Sequence, residues 1–343
     1  MSVQVAQHAG GGEEWDAFAR VQNGYTHFHR FAWKSLIEDL FGHRCEYLAA
    51  RAESGALAGV LPLVRVKSVV FGHYLVSMPF LNYGGPLGTN EAVVALGEAA
   101  ASEARRSGAK LLELRSRVEL PLEMPVSHRK ITVVLDLPRD HETLFKSFAA
   151  KLRSQVRRPQ KEGVTVRFGA DQVEPFFAVF SRHMRDLGTP TLPRAFFEQI
   201  AARFPDDSLF ACAWYEGKPV AGGAGFRWGA EFEMTWASSL TEFNRIAPNM
   251  LLYWEFMQRA VADGVERFNF GRCTPDGGTH KFKRQWGSRD EALWWYQRAA
   301  DGTGNAATPS PDHGAFSLGP RLWKHLPLPV ATALGPHIVR YIP

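Results

Sequence analysis

Between Phe268 and Gly287 the chain reads Phe-Asn-Phe-Gly-Arg-Cys-Thr-Pro-Asp-Gly-Gly-Thr-His-Lys-Phe-Lys-Arg-Gln-Trp-Gly. An apolar strand runs into a glycine-rich turn and then into a cationic segment flanked by aromatic residues. Gly277 and Gly278 permit backbone conformations that turn N–H groups towards an anion, and Lys281, Lys283 and Arg284 add positive charge close by. That combination suits a phosphate, or an acyl group whose oxygen gains negative charge during transfer. On these residues alone, a solvated turn followed by a basic surface patch is an equal alternative.

A second concentration of charge lies upstream. Residues 146–167 hold seven basic side chains and a single acidic one, Glu162. Phe145, Phe148, Leu152 and Val156 recur there at helical spacing, so an amphipathic helix over 142–158 is expected to bury one face. Arg153, Arg157 and Lys161 fall on a common face. Such a stripe suits a pyrophosphate, an RNA backbone or an acidic membrane surface, and equally a solvated linker helix. Pro159 lacks the N–H that a helix needs, so the helix is expected to kink or end near Arg158.

The elements that must position these groups follow from a chain of 343 residues, 45% hydrophobic, with a formal charge of +5. That length suits two domains. Cys45, Cys212 and Cys273 are isolated, which argues against a disulfide framework or a thiolate metal site; no metal is expected, and a reducing cytoplasm fits. The N-terminus carries Glu13, Glu14 and Asp16 in place of a basic start and apolar run, so no targeting peptide is expected. From Ser68 to Asn90 there is no Asp, Glu, Lys or Arg, but Gly72, Pro79, Gly84, Gly85 and Pro86 break the run too often for a membrane span.

An internal echo gives the organisation. A strand over Glu46–Arg51, a turn at Ser54-Gly55 and a strand through Val66 are answered by Leu209–Tyr215, the turn Glu216-Gly217-Lys218-Pro219 and Val220–Trp228. A helix and a strand follow each time: Ala92–Arg106 then Ala109–Leu114, and Asn249–Ala262 then Val265–Phe270. The expectation is an α/β chain of two similar units with mixed sheets, over 1–137 and 138–300. Asp301–Gly319 has linker composition, and 301–343 ends in an apolar, aromatic and basic tail. The tail suits either packing on its own domain or peripheral contact with a membrane surface.

Several of these residues together resemble one family. They are Phe28-His29-Arg30-Phe31-Ala32-Trp33, Phe41-Gly42-His43-Arg44, the run from Gly59 to Val64, Asn82-Tyr83-Gly84-Gly85, Leu112-Glu113-Leu114-Arg115, the basic helix, and Phe282-Lys283 through Trp286-Gly287. In this order they resemble the FemAB family, and within it the branch associated with exosortase and PEP-CTERM systems. The resemblance spans roughly residues 25–297. It implies two tandem domains of the Gcn5-related N-acyltransferase (GNAT) fold and transfer of an acyl or aminoacyl group to an amine. It also implies a cell-envelope or exopolysaccharide precursor as acceptor; the cysteine usage and the tail lead to an expected location in the cytoplasm, with the inner face of the membrane as the alternative where the tail touches it.

On that resemblance Lys283 matches the lysine of the Phe-Lys motif and is expected to stabilise the acyl oxygen or touch a donor phosphate, with Lys281 and Arg284 in support. Asp276 or Glu233 is the expected general base, with a surface carboxylate as the plain alternative. Asn249 caps a helix or touches the acceptor, Tyr83 and Gly84 border an acceptor groove, and Arg153 and Arg157 bind substrate. No bound cofactor is expected. Where coenzyme A enzymes of this fold cradle a pyrophosphate with loop glycines, this chain reads Arg245-Ile-Ala-Pro-Asn249. That disfavours acyl-CoA as co-substrate and favours aminoacyl-tRNA. Two other readings compete: an acyl-CoA-dependent N-acetyltransferase, and a non-catalytic protein that binds anionic glycolipid or RNA.

Overall fold

The computed structural model describes residues 3–68, 70–299 and 318–342, so the expected linker from Asp301 lies outside the described residues as far as 317. The chain divides into two compact units. The first comprises residues 3–130, 292–299 and 340–342, and the second 131–291 and 318–339.

In the first unit the strands are β1 (Val3–Gln7), β2 (Arg44–Ala52), β3 (Leu57–Ser68), β4 (Gly72–Val76), β5 (Leu87–Gly88), β6 (Leu111–Ser116) and β7 (Val126–Ser127). Their sheet runs β1-β2-β3-β4-β6, then the late strand Trp294–Ala299, then β7, with β5 beside β3. Helices α1 (Gly12–Arg20), α2 (Trp33–Phe41) and α3 (Asn90–Ser107) accompany it. The Thr89 side chain accepts from the Ala92 N–H at the start of α3, and Gly108 closes it at φ 70°. Such a cap is worth about 1 kcal/mol. Ala92, Leu96, Ala100 and Ala104, one helical turn apart, bury a single stripe against the sheet.

The second unit repeats the plan. Its strands are β8 (Ile131–Asp136), β9 (Thr165–Phe168), β10 (Ser208–Tyr215), β11 (Lys218–Trp228), β12 (Glu231–Ser239), β13 (Arg267–Cys273) and β14 (Arg289–Ala292), in the order β9-β10-β11-β12-β13-β8-β14. Its helices are α4 (His141–Ser147), α5 (Ala150–Lys161), α6 (Val173–Leu187), α7 (Arg194–Arg203), α8 (Pro248–Ala262), α9 (Gly278–Arg284), α10 (Leu318–Trp323) and α11 (Leu328–Val339). Each sheet has one parallel contact, β4 with β6 and β12 with β13. The hairpins and the helix-strand successions of the echo occupy matching places in the two sheets.

Two expectations need correction. The division falls between Lys130 and Ile131, and the first sheet takes Trp294–Ala299 as the antiparallel neighbour of β6. In the second sheet the same place beside β13 goes to β8, the strand that opens that unit. The first unit thus takes its strand beside the parallel pair from far along the sequence, which a contiguous division at 137 and 300 does not anticipate. The basic helix is also two: α4 ends at Ser147, and α5 runs through Pro159 to Lys161. Near a helix end the missing proline N–H costs a single hydrogen bond, and the Pro159 ring is buried beside Leu152 and Val156.

Residues 318–339 of the tail belong to the second unit. α10 and α11 pack against α6, where Gly335 approaches Thr191 so closely that an added Cβ would sit 2.8 Å from the Thr191 nitrogen. Among the described residues no helix is long and apolar enough to cross a membrane.

Candidate active site

The site is built around the parallel pair of the second sheet. β12 and β13 pair only through Glu231↔Arg267, Phe232↔Phe268 and Glu233↔Asn269, after which the strands part. Each carries a bulge at that level. On β12, Thr235 is the extra residue between the partners of Ala224 and Gly225; on β13, the register against β8 shifts between Asn269 and Arg272. Bulges swing strands out of line, so the sheet splays open here.

A β-bulge leaves backbone groups without ladder partners, and buried polar groups need partners. Asn269, fully buried, supplies one: its Oδ1 accepts from the Gly271 N–H at 2.8 Å and from the Thr132 hydroxyl at 2.6 Å, while its amide donates to Glu231 at 2.8 Å. Gly271 has φ 72°, which a side chain would resist. The carbonyls of Gly271 and Arg272 accept from the Lys283 Nζ at 2.7 and 2.9 Å. Lys283 is 4% exposed, so its ammonium reaches the bulge through protein rather than water. Burial pushes its pKa down to about 8, with Cys273 and Glu233 nearby pulling the other way. Two of the three ammonium protons are committed to carbonyls, and one is left to donate.

α9 delivers that lysine. Gly277 precedes the helix, and the chain leaves it through Gln285 to Gly287 at φ 82°. The Ser288 hydroxyl donates to the Lys283 carbonyl at 2.8 Å. Trp286, 1% exposed and packed on Phe148, Tyr253, Phe270 and Phe282, anchors the same face as Lys283. Among the described residues its indole N–H has no acceptor. The spacing of Lys283 and Trp286 is the helical signal that singles out this lysine. Lys281 and Arg284 are exposed, and Arg284 bonds the Ser288 carbonyl and approaches Asp290 at 3.6 Å.

The two carboxylates separate in the same way. Asp276 sits exposed in the turn at φ 63°, with its N–H donating to His280 Nδ1 at 2.9 Å. His280 Nε2 lies 3.0 Å from Asp290. With Nδ1 accepting from backbone and Nε2 turned to a carboxylate, this histidine braces the turn and has no free nitrogen for proton transfer. Glu233, fully buried, stands at the last paired position of β12 and within electrostatic reach of Lys283. It accepts from the Thr235 hydroxyl at 3.3 Å. Asp276 is thus held exposed in the turn, while Glu233 is buried within electrostatic reach of Lys283.

The basic residues form a groove of about 580 Å³, lined by His141, Glu142, Phe145, Lys146, Arg153, Arg157, Gln160 and Trp254. Arg153 donates to the carbonyls of Lys146 and Phe148, closing the end of α4, and Arg157 lies over the Phe145 ring at 5.0 Å. Phe148 touches both Trp254 on this side and Trp286 just after α9, linking groove and bulge through packed rings.

Other expected residues fall elsewhere. Asn249 does not cap α8: the N-cap is Ala247, at φ 54°, and Asn249 lies one residue inside the helix behind Pro248. Tyr83 is fully buried in the first unit against Phe28, with Arg117 over its ring, so it serves the core and not a groove wall. Gly84 and Gly85 donate their N–H groups to the Arg115 carbonyl at 3.0 and 2.7 Å, and Ser77 ties to Glu113 and Arg115. The place beside β6 where β4 ends is thus filled by the chain's own 77–85 loop. The first unit has closed the opening that the second keeps. Glu233, Asn269 and Trp286 are the residues that reading for motifs alone undervalued; the polar Asn269 within Phe-Asn-Phe was the available signal. Among the described residues there is no cluster of His, Cys, Asp and Glu fit for a metal ion.

Residues 146–284 match the family described as Acetyltransferase (GNAT) domain. Over 147 residues, 41% of this chain, the sequence is 25% identical to the UDP-N-acetylmuramoylpentapeptide-lysine N(6)-alanyltransferase of Weissella viridescens. The match spans 44% of that relative's length. Among solved structures, FemX superimposes with a TM-score of 0.66 at 16% identity, covering 86% of this chain and 97% of FemX. A tandem GNAT protein from the clavulanic acid biosynthesis pathway gives 0.51 at 11% identity, over 89% of this chain and 100% of that one. The fold is a tandem pair of GNAT-type α/β units, and the second carries the acyltransferase domain match.

Proposed function

We propose that this tandem GNAT-fold chain is an N-acyltransferase of the FemAB type, moving an aminoacyl group from an activated donor to an amine. The observation that carries it is Lys283: a buried ammonium fixed at the bulge where β12 and β13 part, with one proton left to donate. The acyl carbonyl lies in the splay with its oxygen towards Lys283. The acceptor amine attacks the carbonyl carbon, the C–N bond forms, and the oxyanion is held by the ammonium in a site shielded from water. Glu233 takes the proton that the amine loses. Collapse then breaks the bond to the leaving oxygen, which takes up a proton.

The donor in this reading is aminoacyl-tRNA, and the groove of Arg153 and Arg157 holds its phosphates. Acyl-CoA is disfavoured. Pro248 has no N–H to offer at the helix start, and the run Arg245-Ile-Ala-Pro-Asn249 lacks the glycines with which a pyrophosphate cradle brings its backbone N–H groups close. The acceptor is an amine on a cell-envelope precursor. The relative named above supports a peptidoglycan precursor, and the resemblance to the exosortase-associated branch supports an exopolysaccharide one. Both would be met in the cytoplasm.

The test is transfer itself. Purified protein is incubated with radiolabelled alanyl-tRNA and UDP-linked muramoyl pentapeptide, in parallel with acyl-CoA donors, and products are read by mass. A new amide with the tRNA donor is expected. Amide formed only from acyl-CoA would replace the donor assignment. Salt-dependent polyanion binding with no amide from any donor would leave a binding protein in place of an enzyme.

A further inference from the structure

A separate surface of the second unit has no part in the chemistry above. Among its described residues, the exposed large aliphatic side chains are Leu187 (53%), Leu322 (70%), Val330 (41%) and Leu334 (46%). All four lie on α10, α11 or the adjoining end of α6. The helices meet there: an added Cβ on Gly188 would lie 2.4 Å from the Pro320 carbonyl oxygen, and Arg185 donates to the Leu326 carbonyl at 3.1 Å. In α11, Ala331 and Gly335 are buried, while Val330 and Leu334, one helical turn apart, look outward.

Charge points the same way. Residues 318–339 contain Arg321 and Lys324 and no Asp or Glu, and both cations are exposed beside Leu322. Asp186, at the adjoining end of α6, is paired with Arg185 at 2.7 Å. Trp323 lies half-buried between them. Isolated surface leucines mean little, but aliphatic side chains gathered on packed helices with cations and no carboxylates match a lipid surface with anionic headgroups.

We infer that the outer face of α10, α11 and the end of α6 docks on an anionic bilayer, with Leu322, Val330 and Leu334 entering the headgroup boundary and Arg321 and Lys324 meeting lipid phosphates. The helices lie on the surface; α11, at 12 residues, is too short to span. Docking does not depend on the transfer reaction and is measured without it.

The experiment is co-sedimentation of the full chain with phosphatidylglycerol-rich vesicles and with phosphatidylcholine vesicles, alongside sedimentation velocity without lipid. Wild type is expected to partition at least tenfold more strongly to the anionic vesicles. Leu322→Asp with Leu334→Asp should cut that partitioning more than tenfold, and Arg321→Ser or Lys324→Ser about fivefold per charge, with the charge effect vanishing at high salt. These side chains are exposed, so circular dichroism and melting should match wild type. Equal partitioning to both vesicles, or unchanged binding by the Leu322→Asp, Leu334→Asp protein, overturns the proposal. So does a dimer that this variant abolishes in the absence of vesicle binding, which would make the face an interface between copies.

Discussion

Replacing Lys283 with Met separates a catalytic lysine from a structural one. The change keeps chain length and removes the charge and both hydrogen bonds to the bulge carbonyls. Bonds from a charged donor are worth about 1.5–3 kcal/mol each. Against that loss stands the relief of a buried ammonium. The drop of its pKa from 10.5 to about 8 corresponds to roughly 3 kcal/mol of unfavourable burial. The two largely cancel, so stability should fall by no more than about 3 kcal/mol, a drop in Tm of roughly 6–12 °C for a unit of this size. Removing a fixed donor to a developing oxyanion instead lowers kcat by about 100- to 1000-fold. Single-turnover transfer at saturating donor, on protein shown to be folded at the assay temperature, reads the chemical step directly. A Lys283→Met protein that keeps kcat within about threefold of wild type would refute the assignment and leave Lys283 as a brace for the bulge.

The pH profile supplies a second check: with Lys283 protonated in the active form, transfer should decline as pH rises through about 8, while stability moves the opposite way. The folded pKa lies below the unfolded value, so the unfolded chain binds more protons between about 8 and 10.5, and denaturant melts should show stability rising across that window. Glu233→Gln should reduce kcat by about 100-fold or more and Asp276→Asn by less than about twofold; equal effects would return the base to the turn. Arg157→Glu should raise the donor KM about tenfold at low salt, an effect that 0.5 M salt removes, while Arg153→Glu should also lower the melting temperature because it uncaps α4.

Local pattern carried much of the fold. The hairpin of β2 and β3, that of β10 and β11, and helices α3 and α8 followed from alternation, glycine turns and helical spacing, because those signals live within one or two elements. The boundary at 137 missed for a related reason. Which strand lies beside β6 is decided by pairing across the chain, and Trp294–Ala299 bears no mark of its distant partner. Tyr83-Gly84-Gly85 reads as the border of a groove or a tight turn, and only the carbonyl of Arg115 reveals that those glycines close the first unit.

The same division runs through the site. Sequence by itself determined that the second half carries a cationic, glycine-bearing segment after an apolar strand, that a basic helix precedes it, and that the chain repeats an α/β plan. By charge alone Lys281, Lys283 and Arg284, within four residues, are equal, and only the resemblance put Lys283 first; between Glu233 and Asp276 the sequence left the choice open. Tertiary structure separates them by burial. The bulge in β13 needs donors for its carbonyls, Trp286 fixes the phase of α9, and so one lysine is drawn inside beside a buried glutamate while its neighbours stay in water. Charge is a property of a residue; the low dielectric that makes it useful belongs to the folded chain.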